Sequence, residues 1–301
     1  MNGNENSRRA LIIANPAAGK RGIEQKLPRV KEIFEGSGYT VEAELTSYPG
    51  EAEELAFNKA AGHDLIVSAG GDGTLYQVVN GLMKSGARIP VGHIPCGSTN
   101  EFASAHGMPR LITEAAKRIA SGGDRAIDVG VFGDRYFLGT AAFGAFSWMG
   151  YSTDQSLKNK LGYTAYVIEG LKGIKKNVPH HVRISADGEV HEGDYIFGAV
   201  CATKELSRRI GRKDRGGALE LLLVKDVKSI SDAGSILRSL STGRYEDSAL
   251  FFTFADDIVI ENEKGLVWSI GGESSGEFDT VRVGSLSGGL LIRGASKRGA
   301  E

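Results

Sequence analysis

The chain has 301 residues, 41% apolar and 24% charged, with a net charge of −1. That length exceeds a usual single domain and points to two, and the balance is that of an ordinary globular protein. It lacks the basic excess of nucleic-acid binders, which argues against nucleic acid as a partner, and the cysteines Cys96 and Cys201 form no disulfide framework but fit a reducing cytoplasm.

The segment Met1–Arg9 is polar, without the apolar run of a signal peptide. The longest apolar runs, such as Leu219–Val224, are too short to cross a bilayer, so no transmembrane segment is expected. Leu11–Ala14 is a short continuous apolar run suited to a buried parallel strand. The turn Asn15-Pro16-Ala17-Ala18-Gly19-Lys20 follows it. Ile23, Leu27, Val30, Ile33 and Phe34 then recur at helical spacing, with Gly36 or Gly38 closing the helix. Tyr39, Val41, Ala43 and Leu45 alternate as in a strand, and a Glu-rich helix carries Ala52, Leu55 and Ala56. The run Leu65–Ala69 leads into Gly70-Gly71-Asp72-Gly73-Thr74 and a helix with Leu75, Val78, Val79 and Leu82 on one face. Pro90–Pro95 reads as a strand and Leu111–Ser121 as a helix. This alternation predicts a parallel, doubly wound α/β domain over residues 1–125.

From Ala126 the pattern changes. Ala126–Phe132 and Arg135–Ala142 flank Gly133-Asp134, a hairpin signal. A helix is predicted at Leu161–Lys175 and another near 229–240. Strand-like runs dominate the rest: His181–Ala186, Tyr195–Ala202, Leu219–Val224, Ala249–Phe254, Ile258–Glu261, Leu266–Ile270 and Thr280–Val283. Asp187-Gly188 and Lys264-Gly265 are read as turns between strands. The prediction is an antiparallel β-rich sandwich domain with two helices over 126–289.

Two segments carry chemistry. Gly70–Thr74 lies between a buried strand and a helix; glycines let the backbone approach phosphate closely, and the helix adds its positive end. Thr74 is placed to cap that helix, and Asp72, acidic where anions gather, suits a metal or a ribose. Pro95-Cys96-Gly97-Ser98-Thr99-Asn100-Glu101-Phe102-Ala103 also follows a strand and opens a helix, with the small polar residues of a nucleotide crevice. Two such turns on successive strands point to one shared site. The histidines His63, His93, His106, His180, His181 and His191 lack zinc spacing.

Together, Asn15–Gly19, Gly70–Thr74 and Pro95–Ala103 resemble, in order and spacing, the catalytic domain of the diacylglycerol kinase and sphingosine kinase superfamily. The likeness extends through Ile127-Asp128-Val129-Gly130, Tyr136-Phe137, Phe143-Gly144, Leu161–Tyr166, Leu219–Val224 and Ile270-Gly271-Gly272-Glu273. The resemblance implies an NAD kinase-like N-terminal domain joined by a returning segment at 290–301, and a C-terminal β-rich lipid domain. It implies ATP and Mg²⁺ as cofactors and transfer of the γ-phosphoryl group to a lipid hydroxyl. Nucleotide binding falls to Asn15, Gly70, Gly71, Asp72, Gly73, Thr74, Gly97, Ser98, Thr99, Asn100 and Glu101; catalysis to Asp72 and Glu273; the metal to Asp214. A cytoplasmic protein meeting its lipid at the membrane surface is expected, and a homodimer is a further expectation.

The chain departs from that pattern at several places. The late Asp-Gly-Glu motif reads Gly271-Gly272-Glu273, with Glu277 nearby as a substitute base, and the Asp-Asp-Gly before Leu219 reads Arg215-Gly216-Gly217. Glu101 replaces an Asp, Ser98 a Thr and Gly139 an Asn, while Asp187-Gly188-Glu189 reads as a turn. These departures keep open a catalytically degenerate nucleotide- or lipid-binding relative with a regulatory role; an NAD kinase is a third reading. The basic run Arg208–Arg215 reads as a solvated loop or a contact to anionic headgroups, and Trp148 with Phe143–Tyr151 as core or acyl-pocket lining.

Overall fold

The computed structural model describes residues 7–19, 22–144, 178–203, 216–226, 234–235, 239 and 249–296. The readings placed on Trp148, on Leu161–Lys175, on Arg208–Arg215 with Asp214, and on most of 229–240 lie outside the described residues. The chain divides into two units, Met1–Ile127 with Gly288–Glu301, and Asp128–Ser287.

The first unit is α/β. Its elements are β1 (Arg8–Ala14), α1 (Ile23–Glu35), β2 (Tyr39–Leu45), α2 (Glu51–Lys59), β3 (Leu65–Gly70), α3 (Asp72–Ser85), β4 (Val91–Pro95), α4 (Glu101–Ala105) and α5 (Ile112–Ser121). The strands pair in parallel in the order β2-β1-β3-β4. The end of the last strand of the chain (Glu273–Arg293) adds beside β4, with Ile292 opposite Val91. Parallel strands covered on both faces are near-continuous apolar runs, and β3 and β4 are buried along their full length, Ser68 and His93 included.

The pleat sends Ala10, Ile12, Ala14, Val67, Ala69 and Ile94 to one face, where α1 and α5 pack. The other face receives α2 and α3, whose closeness depends on Gly81: a Cβ there would stand 2.1 Å from Glu53 O. The returning strand is tied in by Arg293, whose Nε and Nη2 donate to the two carboxylate oxygens of Asp124 at 2.6 and 2.8 Å. A bidentate pair of this kind, only 14% exposed at the arginine, fixes direction as well as contact.

The second unit is β-rich, and its described strand pairings are antiparallel. It contains β5 (Asp124–Phe132), β6 (Arg135–Phe137), β7 (Thr140–Gly144), β8 (His180–Ala186), β9 (Glu189–Cys201), β10 (Leu219–Lys225), β11 (Leu250–Ala255), β12 (Asp257–Ile270) and β13 (Glu273–Arg293); β5 and β13 also contribute residues to the first unit. The order β11-β10-β9-β7-β12-β13 is completed by β8, which pairs with β9 and β12. Phe132 and Phe143 set their rings against buried Trp268 at 5.0 and 5.1 Å, in the middle of the core.

Three sequence expectations change. Arg135–Ala142 is two strands, broken at Leu138-Gly139. Lys264-Gly265 does not reverse the chain: β12 runs through it with a register shift between Glu261 and Leu266, Gly265 taking φ +72. Such a bulge uses the same residue types as a turn. The strand expected at Thr280–Val283 extends over 21 residues. Asp187-Gly188 does form the hairpin turn, with φ of 48 and 89, joining Ala186 to Glu189.

Candidate active site

In the first unit the chain crosses from β2 back over β1 to β3, so the order reverses between β1 and β3. In open parallel sheets ligands settle beyond the carboxyl ends of strands flanking such a reversal. The bends after β1, β3 and β4 all lie at that edge. Asn15 N donates to Ala69 O at 2.9 Å, and Cys96 N donates to Gly70 O at 2.7 Å, so each bend starts bonded to the β3 end.

The bends then touch through their glycines. A Cβ on Gly97 would stand 2.6 Å from Gly71 Cα, and a Cβ on Gly19 would stand 2.2 Å from Cys96 O. Gly19 also takes φ +62, a conformation that favours glycine. Asn15 Nδ2 donates to Thr74 Oγ1 at 3.2 Å while Asn15 Oδ1 accepts from Ala17 N at 2.9 Å, so one side chain links the first bend to α3. Contrary to the sequence expectation, Thr74 does not cap that helix: Gly71 is the cap residue, and Thr74 is the third residue of α3, inside its first turn.

Asn100 is buried and left-handed, with φ 50. Its Oδ1 accepts from Gly97 N at 2.9 Å and its Nδ2 donates to Gly97 O at 2.8 Å, which closes the third bend on itself. Gly97 N is therefore engaged inside the bend. Ser98 and Thr99 are exposed at the apex.

Asp72 has a different setting from the one its sequence position suggested. Its Oδ2 accepts from Glu101 N at 2.9 Å and its Oδ1 from Phe102 N at 3.1 Å, so the carboxylate spans from α3 to the start of α4. Burial pushes the Asp72 carboxyl above the usual carboxylate range, and the amides of Glu101, Phe102 and Asn100 draw it partly back. With the acid turned toward α4, the first amides of α3 (Asp72, Gly73 and Thr74) keep no acceptor within their own helix. The positive end of a fourteen-residue helix stands behind them.

Asn15, Gly70, Gly71, Asp72, Gly73, Thr74, Gly97, Ser98, Thr99, Asn100 and Glu101 are thus gathered on three adjoining bends of the first unit. Glu273 belongs to the second unit, exposed as the first residue of β13 after a two-residue turn, Gly271-Gly272, with φ of 59 and 87. Among the described residues, no group of three or more His, Cys, Asp or Glu is placed to hold a metal ion.

Sequence reading missed the ring stack behind the third bend. Phe102 stacks on His106 at 4.1 Å and meets His93 edge-on at 6.1 Å. The i,i+4 spacing of Phe102 and His106 was the only available signal.

The sequence profile of the diacylglycerol kinase catalytic domain matches residues 9–132. A diacylglycerol kinase of Bacillus subtilis (strain 168) is 31% identical over 277 residues, which cover 89% of this chain and 91% of the relative. This chain belongs to the diacylglycerol kinase family. A diacylglycerol kinase of Staphylococcus aureus (strain MRSA252) is 29% identical over 278 residues, covering 90% of this chain and 88% of the relative. The crystal structure of a diacylglycerol kinase from Bacillus anthracis superimposes over 96% of this chain and 98% of its own, with a TM-score of 0.75 at 25% identity. The N-terminal α/β and C-terminal β-rich units of the chain are those of this family.

Proposed function

We propose that the chain transfers the γ-phosphoryl group of ATP to a hydroxyl of a diacylglycerol-like lipid. The observation that carries this reading is the contact of the Gly71 and Gly97 backbones at the carboxyl edge of the first unit, within a chain of this family. Glycines where the two bends meet let the backbones close on each other, which would gather main-chain N–H groups and the start of α3 at one edge for a phosphate tail.

In the proposed reaction the lipid oxygen bonds to the γ-phosphorus as the bond to the β–γ bridging oxygen breaks. ADP leaves, and the hydroxyl proton passes to a carboxylate. Catalysis of this type is positioning and charge stabilisation. The first amides of α3 would bind the phosphates, Asn15 and Asn100 would hold the bends, and Asp72 would fix the third bend against α3. Glu273 is the base proposed, and Glu277 the substitute. A positioned base contributes about 10²–10⁴-fold in rate.

Mg²⁺ supplies neutralisation of charge on the nucleotide phosphates. It commonly binds through one or two carboxylates with substrate phosphates and waters rather than in an all-protein cage. The Asp72 carboxylate, each of whose oxygens has a further lone pair, suits that mode; Asp214 is proposed as a further ligand. Among the described residues no helix is long and apolar enough to cross a membrane, so the lipid is proposed to be met at a membrane surface.

A catalytically degenerate relative is the second reading, favoured by Gly271 standing where the motif has Asp. The test is γ-labelled ATP with a panel of lipids in mixed micelles and, separately, with NAD, comparing wild type, Asp72→Ala and Gly271→Asp. Lipid labelling by wild type that Asp72→Ala abolishes supports the kinase. No labelling by wild type, with labelling restored in Gly271→Asp, supports the degenerate relative, and labelling of NAD instead would indicate an NAD kinase.

A further inference from the structure

Helix α4 has five residues, too few to persist on its own in water. At its front end, Glu101 N and Phe102 N donate to Asp72. At its rear end, a segment from far along the chain takes hold. Ser296 N donates to His106 O at 3.1 Å, and Ser296 Oγ donates to Gly107 O at 3.4 Å. The fit is close: a Cβ on Gly107 would stand 2.2 Å from Ser296 Oγ. The segment is itself anchored, with Gly294 N donating to Gly123 O at 3.2 Å and Arg125 Nη1 donating to Ser296 O at 3.3 Å.

His106, the residue gripped by Ser296 N, stacks its ring on Phe102 and bonds back through Nδ1 to Phe102 O at 3.0 Å. Phe102 supplies one of the two amides held by Asp72. A continuous line of contacts therefore runs from Ser296 through His106 and Phe102 to Asp72 and the first turn of α3.

We infer that Ser296 is a positioning residue for the proposed nucleotide site, holding α4 from behind while Asp72 holds it from the front. The inference rests on the nucleotide reading for its affinity readout and on geometry alone for its exchange readout. The segment after β13 is then a strap: without it, α4 frays and the third bend loses its set position.

The experiment compares wild type, Ser296→Ala and Ser296→Pro as full chains. Ser296→Pro removes the N–H given to His106 and the hydroxyl given to Gly107; Ser296→Ala removes the hydroxyl alone. Amide hydrogen exchange is measured without ligand, and ADP with Mg²⁺ is titrated by calorimetry. In Ser296→Pro, exchange at Glu101 and Phe102 should rise at least about tenfold and ADP affinity fall about five- to tenfold, the scale of losing one or two hydrogen bonds. Ser296→Ala should show about a twofold change, and exchange in β1 and β3 should stay at the wild-type rate. Unchanged exchange at Glu101 and Phe102 would overturn the inference, as would a rise spread evenly over β1, β3 and β4, which marks general destabilisation. Wild-type affinity in Ser296→Pro would overturn it too. If wild type itself binds no ADP, the nucleotide reading fails while the exchange at Glu101 still judges the strap.

Discussion

Adding one methyl group at Gly97 should damage the protein, while the same change at Gly71 should be mild. The new Cβ at Gly97 would lie 2.6 Å from Gly71 Cα and 3.1 Å from Asn100 Oδ1, whereas a Cβ at Gly71 would lie 3.4 Å from its nearest neighbour, Gly97 Cα. Ordinary contact begins near 3.4 Å, so Gly97→Ala must part the two bends by about 0.8 Å, with main chain as the obstacle. Overpacking against immovable neighbours costs about 1–3 kcal/mol, which lowers Tm by roughly 6 °C in a chain of this size. A misplacement near 1 Å can cost about 10²-fold in function, so ADP affinity should fall by ten- to hundredfold. Differential scanning calorimetry and an ADP titration on both variants measure the two effects. Equal Tm values for Gly97→Ala and Gly71→Ala would refute the reasoning, because the asymmetry comes from the contact geometry alone.

Three further outcomes are expected. Burial pushes His93 down to about 4, so the unfolded chain takes up the proton first: the stability is whole above about pH 6.5 and is lost as pH falls toward 4, by about 2 kcal/mol between pH 7.5 and 5. Urea unfolding at several pH values should show this slope shrink in His93→Met; an unaltered slope would exclude His93 as its source. Gly271→Asp should keep stability within about 0.5 kcal/mol, because Gly271-Gly272 forms a turn with both φ positive, where Asp-Gly is favoured, and a loss above about 1 kcal/mol would contradict that turn. Asp72→Asn keeps one acceptor oxygen but sets an NH₂ against one of the amides of α4, costing about 1–3 kcal/mol even without nucleotide; unchanged ligand-free stability would show that the carboxylate does not hold α4.

Local chemistry made much of this legible before any coordinates. The apolar runs of β1 and β3 and the glycine bends behind them give the parallel unit, since buried strands and tight turns draw on few residue types. The Asp187-Gly188 and Gly133-Asp134 turns read correctly for the same reason. Longer-range effects hid the rest. Lys264-Gly265 looks like a reversal, yet pairing on both sides carries β12 through it as a bulge. The strand expected at Thr280–Val283 runs on through the Gly- and Ser-rich stretch Gly284–Gly289, whose weak strand preference is overridden by pairing within β13. The setting of Asp72 was out of reach because its partners stand 29 and 30 residues away. Ser296 reaches Gly107 across 189 residues, with no motif to announce it.

Whether the three bends form one site for a nucleotide is judged most directly by titrating ADP and ATP with Mg²⁺ into wild type and Gly97→Ala by calorimetry. Saturable binding by wild type below about millimolar Kd, weakened by at least about tenfold in Gly97→Ala, is the expected result. Absence of binding by wild type at millimolar nucleotide, or equal affinity in both proteins, would contradict it.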